Sequence, residues 1–298
     1  MQRKMAVSAD TRAAGPVPQE LSAFLRDLQV ELRGGKVELP SFPEVSMQIQ
    51  RLLRDENVAM DKVVRLVSAE PILAGRIMQL ASSAALNPRG TPILELRTAL
   101  TRLGFDALRA AVISFAMLQL KLASSFQGIQ SSLASLWKDN VTLAATACVV
   151  ARRCRRTSPD TALFAGLVSG VGRICLLAKA RRHPALLSDS AAYHQLVRDW
   201  HAPVAQAVLN GWGIAEEIAT AIQLLHTRPV MRQGVSPLAD VLMVSELLAF
   251  QHEVPEILQQ HLEQEGSAAR LGMQSADCLR LLEESQSELA ILQGALGS

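Results

Sequence analysis

The segment 165-AGLVSGVGRICLL-177 lies mid-chain, with helical segments on both sides. It is apolar and rich in small residues. Ser169 stands among Gly166, Gly170 and Gly172, and a lone Arg173 follows. Four readings compete for it: a phosphate cradle, a nucleophile turn, the remains of a metal site, or a tight packing point. A Walker-type cradle needs Gly-Lys-Ser/Thr after a strand, and neither the lysine nor the strand is here. A nucleophile elbow reads G-x-S-x-G at a strand-to-helix turn. Here two residues separate Gly166 from Ser169, and the context is helical. Packing or a degenerated metal site remains. Small residues let a helix approach its neighbours closely at some cost in helix propensity, so packing is the default.

Working outward, the pattern is helical throughout. Residues 1–18 show no periodicity and read as a mobile tail. In 19-QELSAFLRDLQVELRGG-35, Leu21, Phe24, Leu25, Leu28 and Leu32 recur at helical spacing, which predicts an N-terminal helix within 19–36. Two prolines in 39-LPSFPEV-45 force an extended approach to a helix over about Glu44–Asp55. The run 60-MDKVVRLVSAEPILAGRIMQLASSA-84 predicts a helix-turn-helix pair, with Pro71 in the first turn of the second helix and Glu70 as its cap. A DNA reader needs several polar side chains on one face, and only Arg76 and Gln79 are offered, so this is a packing pair. Gly104 suits a helix C′ position and Asp106 the next cap. Residues 121–132 form a polar, Ser-rich break. A long helix follows over 133–156, then a turn at Thr157–Asp160, and the glycine-rich segment falls in the next helix. Segments 201–214, 215–227, 236–250 and 275–296 are helical as well. No alternating strand appears, and the fold class is all-α.

Composition supports this. The chain has 298 residues, 49% hydrophobic and 19% charged, so it buries a sizeable core rather than remaining disordered. Aromatic residues make up only 4%, which disfavours a β-sandwich. A net charge of +2 does not describe a strongly basic nucleic-acid binder. Cys148, Cys154, Cys175 and Cys278 lack C-x-x-C spacing and read as buried free thiols of a reducing compartment. The N-terminus has no apolar core of a signal peptide, and apolar windows such as 110–120 fall short of the roughly 18–20 residues needed to cross a bilayer. The expectation is a cytoplasmic protein with no membrane contact.

Several stretches in order resemble the HDOD family, the HD-related output domain of bacterial signalling proteins. These are 39-LPSFPEVSMQIQRLL-53, 68-SAEPILAGRIMQLASSA-84, 98-TALTRLG-104, Trp137, His201, Trp212 and 221-AIQLLHT-227. The resemblance covers about 37–230 and leaves 231–298 as a C-terminal helical extension packed on that domain. It implies an HD-like bundle of a dozen or more helices, similar to the HD phosphohydrolases, which hold divalent metals through His and Asp. In that frame the His-Asp pair falls on Ser169 and Gly170. An earlier His position is Asp139, a later His-His pair is Leu225 and His226, and a late Ala-Asp is Ser245–Glu246. The resemblance therefore implies a dismantled site, with no metal, no cofactor and no catalysis.

Other residues have plainer readings. His201 is a helix-start or buried hydrogen-bonding histidine, and His226 is a helix C-terminal residue favoured by the dipole. Arg152, Arg153, Arg155 and Arg156, like Lys179, Arg181 and Arg182, end apolar helices and compensate their dipoles. The first cluster is also a candidate anion or partner patch. The expected function is a non-enzymatic signalling module that binds other signalling proteins. The alternatives are a metal-dependent phosphohydrolase with a rebuilt site, and binding of nucleic acid or a cyclic dinucleotide through the arginines.

Overall fold

The computed structural model describes residues 16–35, 37, 44–53, 55, 58–83, 86–87, 89–123, 126–228, 236–251 and 254–297. All regular structure among them is helical. The early helices are α1 (Pro16–Arg33), α2 (Glu44–Leu52), α3 (Met60–Ser68), α4 (Pro71–Ser82) and α5 (Leu96–Leu122). The middle of the chain forms α6 (Gln130–Cys154), α7 (Pro159–Ser169), α8 (Val171–Ala180), α9 (Pro184–Ser188), α10 (Ser190–Trp212) and α11 (Glu216–Thr227). It continues as α12 (Pro237–Phe250), α13 (Pro255–Glu265), α14 (Ser267–Arg270), α15 (Ser275–Glu284) and α16 (Gln286–Leu296).

Prolines open many of these helices. Pro71, Pro159, Pro184, Pro237 and Pro255 sit in first turns, where the missing N–H costs nothing. Glu70 takes the N-cap position of α4, but its side chain makes no capping bond. Gly104 breaks α5 at φ 73° and ψ 175°, a conformation that favours glycine. Asp106 does not cap the second arm of α5 as expected. Its carboxylate accepts from Arg109 at 2.9 Å and from Thr161 at 2.8 Å, tying α5 to α7. The first helix begins at Pro16 rather than Gln19, and residues 39–43 of the proline-rich approach lie outside the described set. The polar break is shorter than expected, because α6 starts at Gln130.

The centre of the fold is α6 against α7, with α12 across them. Every residue of α7 from Ala162 to Ser169 is buried, as is every residue of α12 from Leu238 to Ser245. α16 lies on α6 and α4, so the C-terminal segment shares one core with the rest. Arg76 of the helix-turn-helix pair faces away from any nucleic-acid surface role. Its guanidinium donates to the Ala295 carbonyl at the end of α16, at 3.4 Å.

The glycine-rich segment is not one helix. It breaks at Gly170 into α7 and α8. Across that break, Pro159–Ala180 is long and apolar enough to span a membrane by length and composition, contrary to the expectation that all windows fall short. It is a core element instead, since 83% of its apolar window is buried within the fold. Its glycines are packing points. A Cβ on Gly166 would stand 2.7 Å from the Ala144 Cα, and one on Gly172 would stand 2.0 Å from the His201 carbonyl oxygen. Both obstacles are backbone. By contrast, a Cβ on Gly75 of α4 would meet nothing within 4 Å.

Chemical denaturation tests this distinction. Gly166→Ala and Gly172→Ala should each destabilise by about 1–3 kcal/mol or more, the cost of overpacking a core that cannot yield. Gly75→Ala should stabilise by about 0.5–1 kcal/mol through helix propensity.

Candidate functional site

The positions named from the sequence meet in one place. Asp139, Ser169, Gly170, Leu225, His226 and Glu246 line a single cavity of about 150 Å3. α6 supplies Asp139, the α7–α8 break supplies Ser169 and Gly170, α11 supplies Leu225 and His226, and α12 supplies Glu246. Asn140, Arg173 and Phe250 also line it, and the sequence reading gave none of them a role there.

Asn140 decides what the cavity is. A Cβ on Gly170 would lie 2.1 Å from the Asn140 Oδ1 and 2.8 Å from its Cγ. The amide therefore fills the volume that any side chain at 170 would need. Asn140 is only 7% exposed, and its Nδ2 is buried without a hydrogen-bond partner. The register of the two helices brings this about. Asn140 and Ala144 stand four apart on α6 and meet Gly170 and Gly166, which stand four apart on the facing helix. A residue that loses its side chain in a close-packed core leaves room that the opposite helix fills.

The remaining positions are turned to other uses. Ser169 is 3% exposed and its Oγ donates to the Gly166 carbonyl at 2.8 Å, within its own helix. Leu225 is buried and apolar. Glu246 accepts from Arg228, which also bonds Glu265 at 3.1 Å. Arg228 holds φ 41° at the end of α11, which aims it at both carboxylates. Asp139 sits exposed at the mouth. Burial nudges its pKa up, while Arg173 and Lys138 pull it down.

Two histidines pack behind the cavity. The His201 and His226 rings lie 4.7 Å apart at 59°. His201 is not at a helix start; it lies inside α10, because that helix begins at Ser190 and runs through Pro203. Its Nδ1 contacts the Val197 carbonyl at 2.8 Å, and since a carbonyl only accepts, Nδ1 carries the proton. His226 is half-buried at the end of α11. Burial first, then His201 and Arg173, push its pKa down to about 3, so the ring is neutral near pH 7. Its Nδ1 is buried without a partner.

A catalytic divalent metal needs about three protein donors aimed at one ion. Among the described residues no group of three His, Cys, Asp or Glu side chains is placed to do this. Of the three donors named from the sequence, Glu246 is held by Arg228, and Arg173 adds a positive charge to the cavity lining. The residues present do not fit the metal that an HD site would hold.

Within the arginine cluster, Arg152 pairs with Glu288 of α16, while Arg153, Arg155 and Arg156 are exposed; Arg155 caps α6 through its left-handed backbone. Lys179 reaches Glu31 at 2.7 Å and holds α1, while Arg181 lies 5.9 Å over the Phe126 ring.

Two measurements test the site. In a double-mutant cycle, Gly170→Ala should destabilise the wild type but much less the Asn140→Ala background, with a coupling of about 0.5–3 kcal/mol. Stability should also follow pH through His226. The unfolded ring, near pKa 6.5, takes up protons that the folded ring refuses until about pH 3. Its contribution is therefore complete above pH 6.5 and lost as pH falls toward 3, and His226→Gln should flatten that slope in denaturant titrations.

Relatives agree with this architecture. The HDOD domain family model matches residues 39–228. A protein from Shewanella amazonensis described as "Putative metal-dependent phosphohydrolase" superposes with a TM-score of 0.67 at 24% identity, over 90% of this chain and 99% of its own. An HDOD domain protein of unknown function from Geobacter sulfurreducens gives 0.63 at 23% identity, over 94% and 98%. A "Putative signal transduction protein" from Marinobacter aquaeolei gives 0.59 at 19% identity, over 94% and 67%. No curated protein sequence matches the chain. At these identities the structural likenesses establish the fold, and the family match spans most of the chain, from the proline-rich approach to the end of α11: the chain belongs to the HDOD family.

Proposed function

We propose that this protein is a non-catalytic HDOD module that acts in signal transduction by binding other proteins. The observation that carries the reading is the Asn140 amide, packed into the space over Gly170 where an acidic metal ligand would have to stand. Ser169 and Glu246 support it, since both already satisfy other partners. The signalling role draws on the family and on the relative described as a signal transduction protein. Four thiols, none in a disulfide, support work in a reducing, cytoplasmic setting.

The second reading is a phosphohydrolase with a rebuilt metal site, favoured by the description of the Shewanella relative. It would rest on Asp139 and His226, two donors where about three are needed. The third, binding of nucleic acid or a cyclic dinucleotide, loses Arg152 to Glu288.

Elemental analysis of protein purified from manganese-, iron- and zinc-supplemented medium separates the first two. The expected result is no stoichiometric metal and no hydrolysis of bis(p-nitrophenyl) phosphate above buffer. Stoichiometric metal that disappears in Asp139→Ala, with hydrolysis that disappears alongside it, would overturn the proposal.

A further inference from the structure

Arg173 borders two cavities. One is the remnant pocket; the other is a cleft of about 480 Å3 between the start of α6 and helices α8, α9 and α10. That volume lies within the ~300–1,000 Å3 typical of small-molecule sites. Its walls are apolar, from Ile129 and Leu136 on one side to Leu177, Leu187 and Val197 on the other. Its polar groups are few: the hydroxyls of Ser132 and Ser135, Tyr193, His194 and the Arg173 guanidinium.

The charge is one-sided. Among the described residues no carboxylate lines this cleft, whereas Asp139 and Glu246 line the remnant pocket. Arg173 is exposed and has no ion-pair or hydrogen-bond partner among the described residues. Its field reaches Asp139, but the two do not form an ion pair. The start of α6, a helix of 25 residues, adds partial positive charge, for Ile129 offers no side-chain cap and the first turn holds no acidic residue. Tyr193 contributes a donor, since burial pushes its phenol up to about 12 and keeps it protonated. A cavity with apolar walls, an unpaired guanidinium and no acidic group selects a ligand that has both an apolar body and a negative head.

We propose that this cleft binds an amphipathic small-molecule anion. A carboxylate or phosphate head would sit on Arg173, and the apolar body would lie between Leu136 and the Leu177–Leu187 wall. This cleft shares only Arg173 with the remnant pocket, so the proposal stands apart from whether that pocket is catalytic.

Calorimetric titration of the full chain with octanoate and with octyl phosphate, both below their micellar concentrations, tests it. Inorganic phosphate and n-octanol serve as controls. The expected result is one-to-one binding of at least one amphipathic anion, and the preferred anion identifies the head group. Arg173→Gln should weaken it by about tenfold, as loss of a charge-assisted bond does. Arg173→Lys should restore part of the affinity, and Ser132→Trp, which fills the cleft from an exposed position, should abolish it. Asp139→Ala should not weaken it. Thermal melts of each variant separate lost binding from lost folding. The proposal is overturned if neither anion binds, if octanol binds as tightly as octanoate, if inorganic phosphate matches octyl phosphate, or if folded Arg173→Gln keeps full affinity.

Discussion

The central helices of this fold pack around two places where backbone meets backbone with no side chain between. At Gly166 the chain of α7 lies against α6, and at Gly172 the chain of α8 lies against α10. Between these contacts stands Gly170, where α7 gives way to α8 and the Asn140 side chain takes the space a side chain at 170 would need. Three contacts within seven residues fix how α6, α7, α8 and α10 sit together. Those helices in turn position α11 and α12, whose His226 and Glu246 line the pocket. A methyl group at Gly166 or Gly172 would strike main-chain atoms, which cannot rotate aside as a side chain can.

The same constraint accounts for what was legible in the sequence. Helical periodicity and proline placement marked most elements, because amphipathic faces and first-turn prolines are local signals. The positions that converge in the pocket followed from the order of family-like segments. Tertiary information was harder to see. The break at Gly170 was invisible because the apolar pattern runs straight through it, so Pro159–Ala180 looks like one helix. Asn140 escaped notice because a buried amide has no sequence mark; only its register against Gly170 gives it meaning. The true start of α10 was missed for a different reason. Ala192, Tyr193, Leu196, Val197 and Trp200 do recur at helical spacing and pack against the core, but Pro203 drew the reading toward a helix that begins near His201.

On the proposed reading, a lost metal site is not left empty. Here the space is shared among side chains that satisfy the core: an amide over Gly170, a serine turned back on its own helix, and a glutamate held by an arginine. The histidines illustrate the outcome. With His226 kept neutral near pH 7 by burial, and the two rings packed at a tilt of 59°, they serve as packing residues with polar edges. Arg173 stands at the boundary between two cavities, one lined by two carboxylates and one by none among the described residues.

The central claim is that protein side chains, not a metal ion, complete this pocket. The most direct measurement follows the ring resonances of His201 and His226 by NMR while manganese is titrated in. A divalent ion bound beside Asp139 and His226 would broaden both rings through its unpaired electrons at one equivalent. The account predicts that both rings stay sharp at one equivalent of manganese, with wild-type shifts. Selective loss of these two signals at one equivalent, reversed by Asp139→Ala, would contradict it.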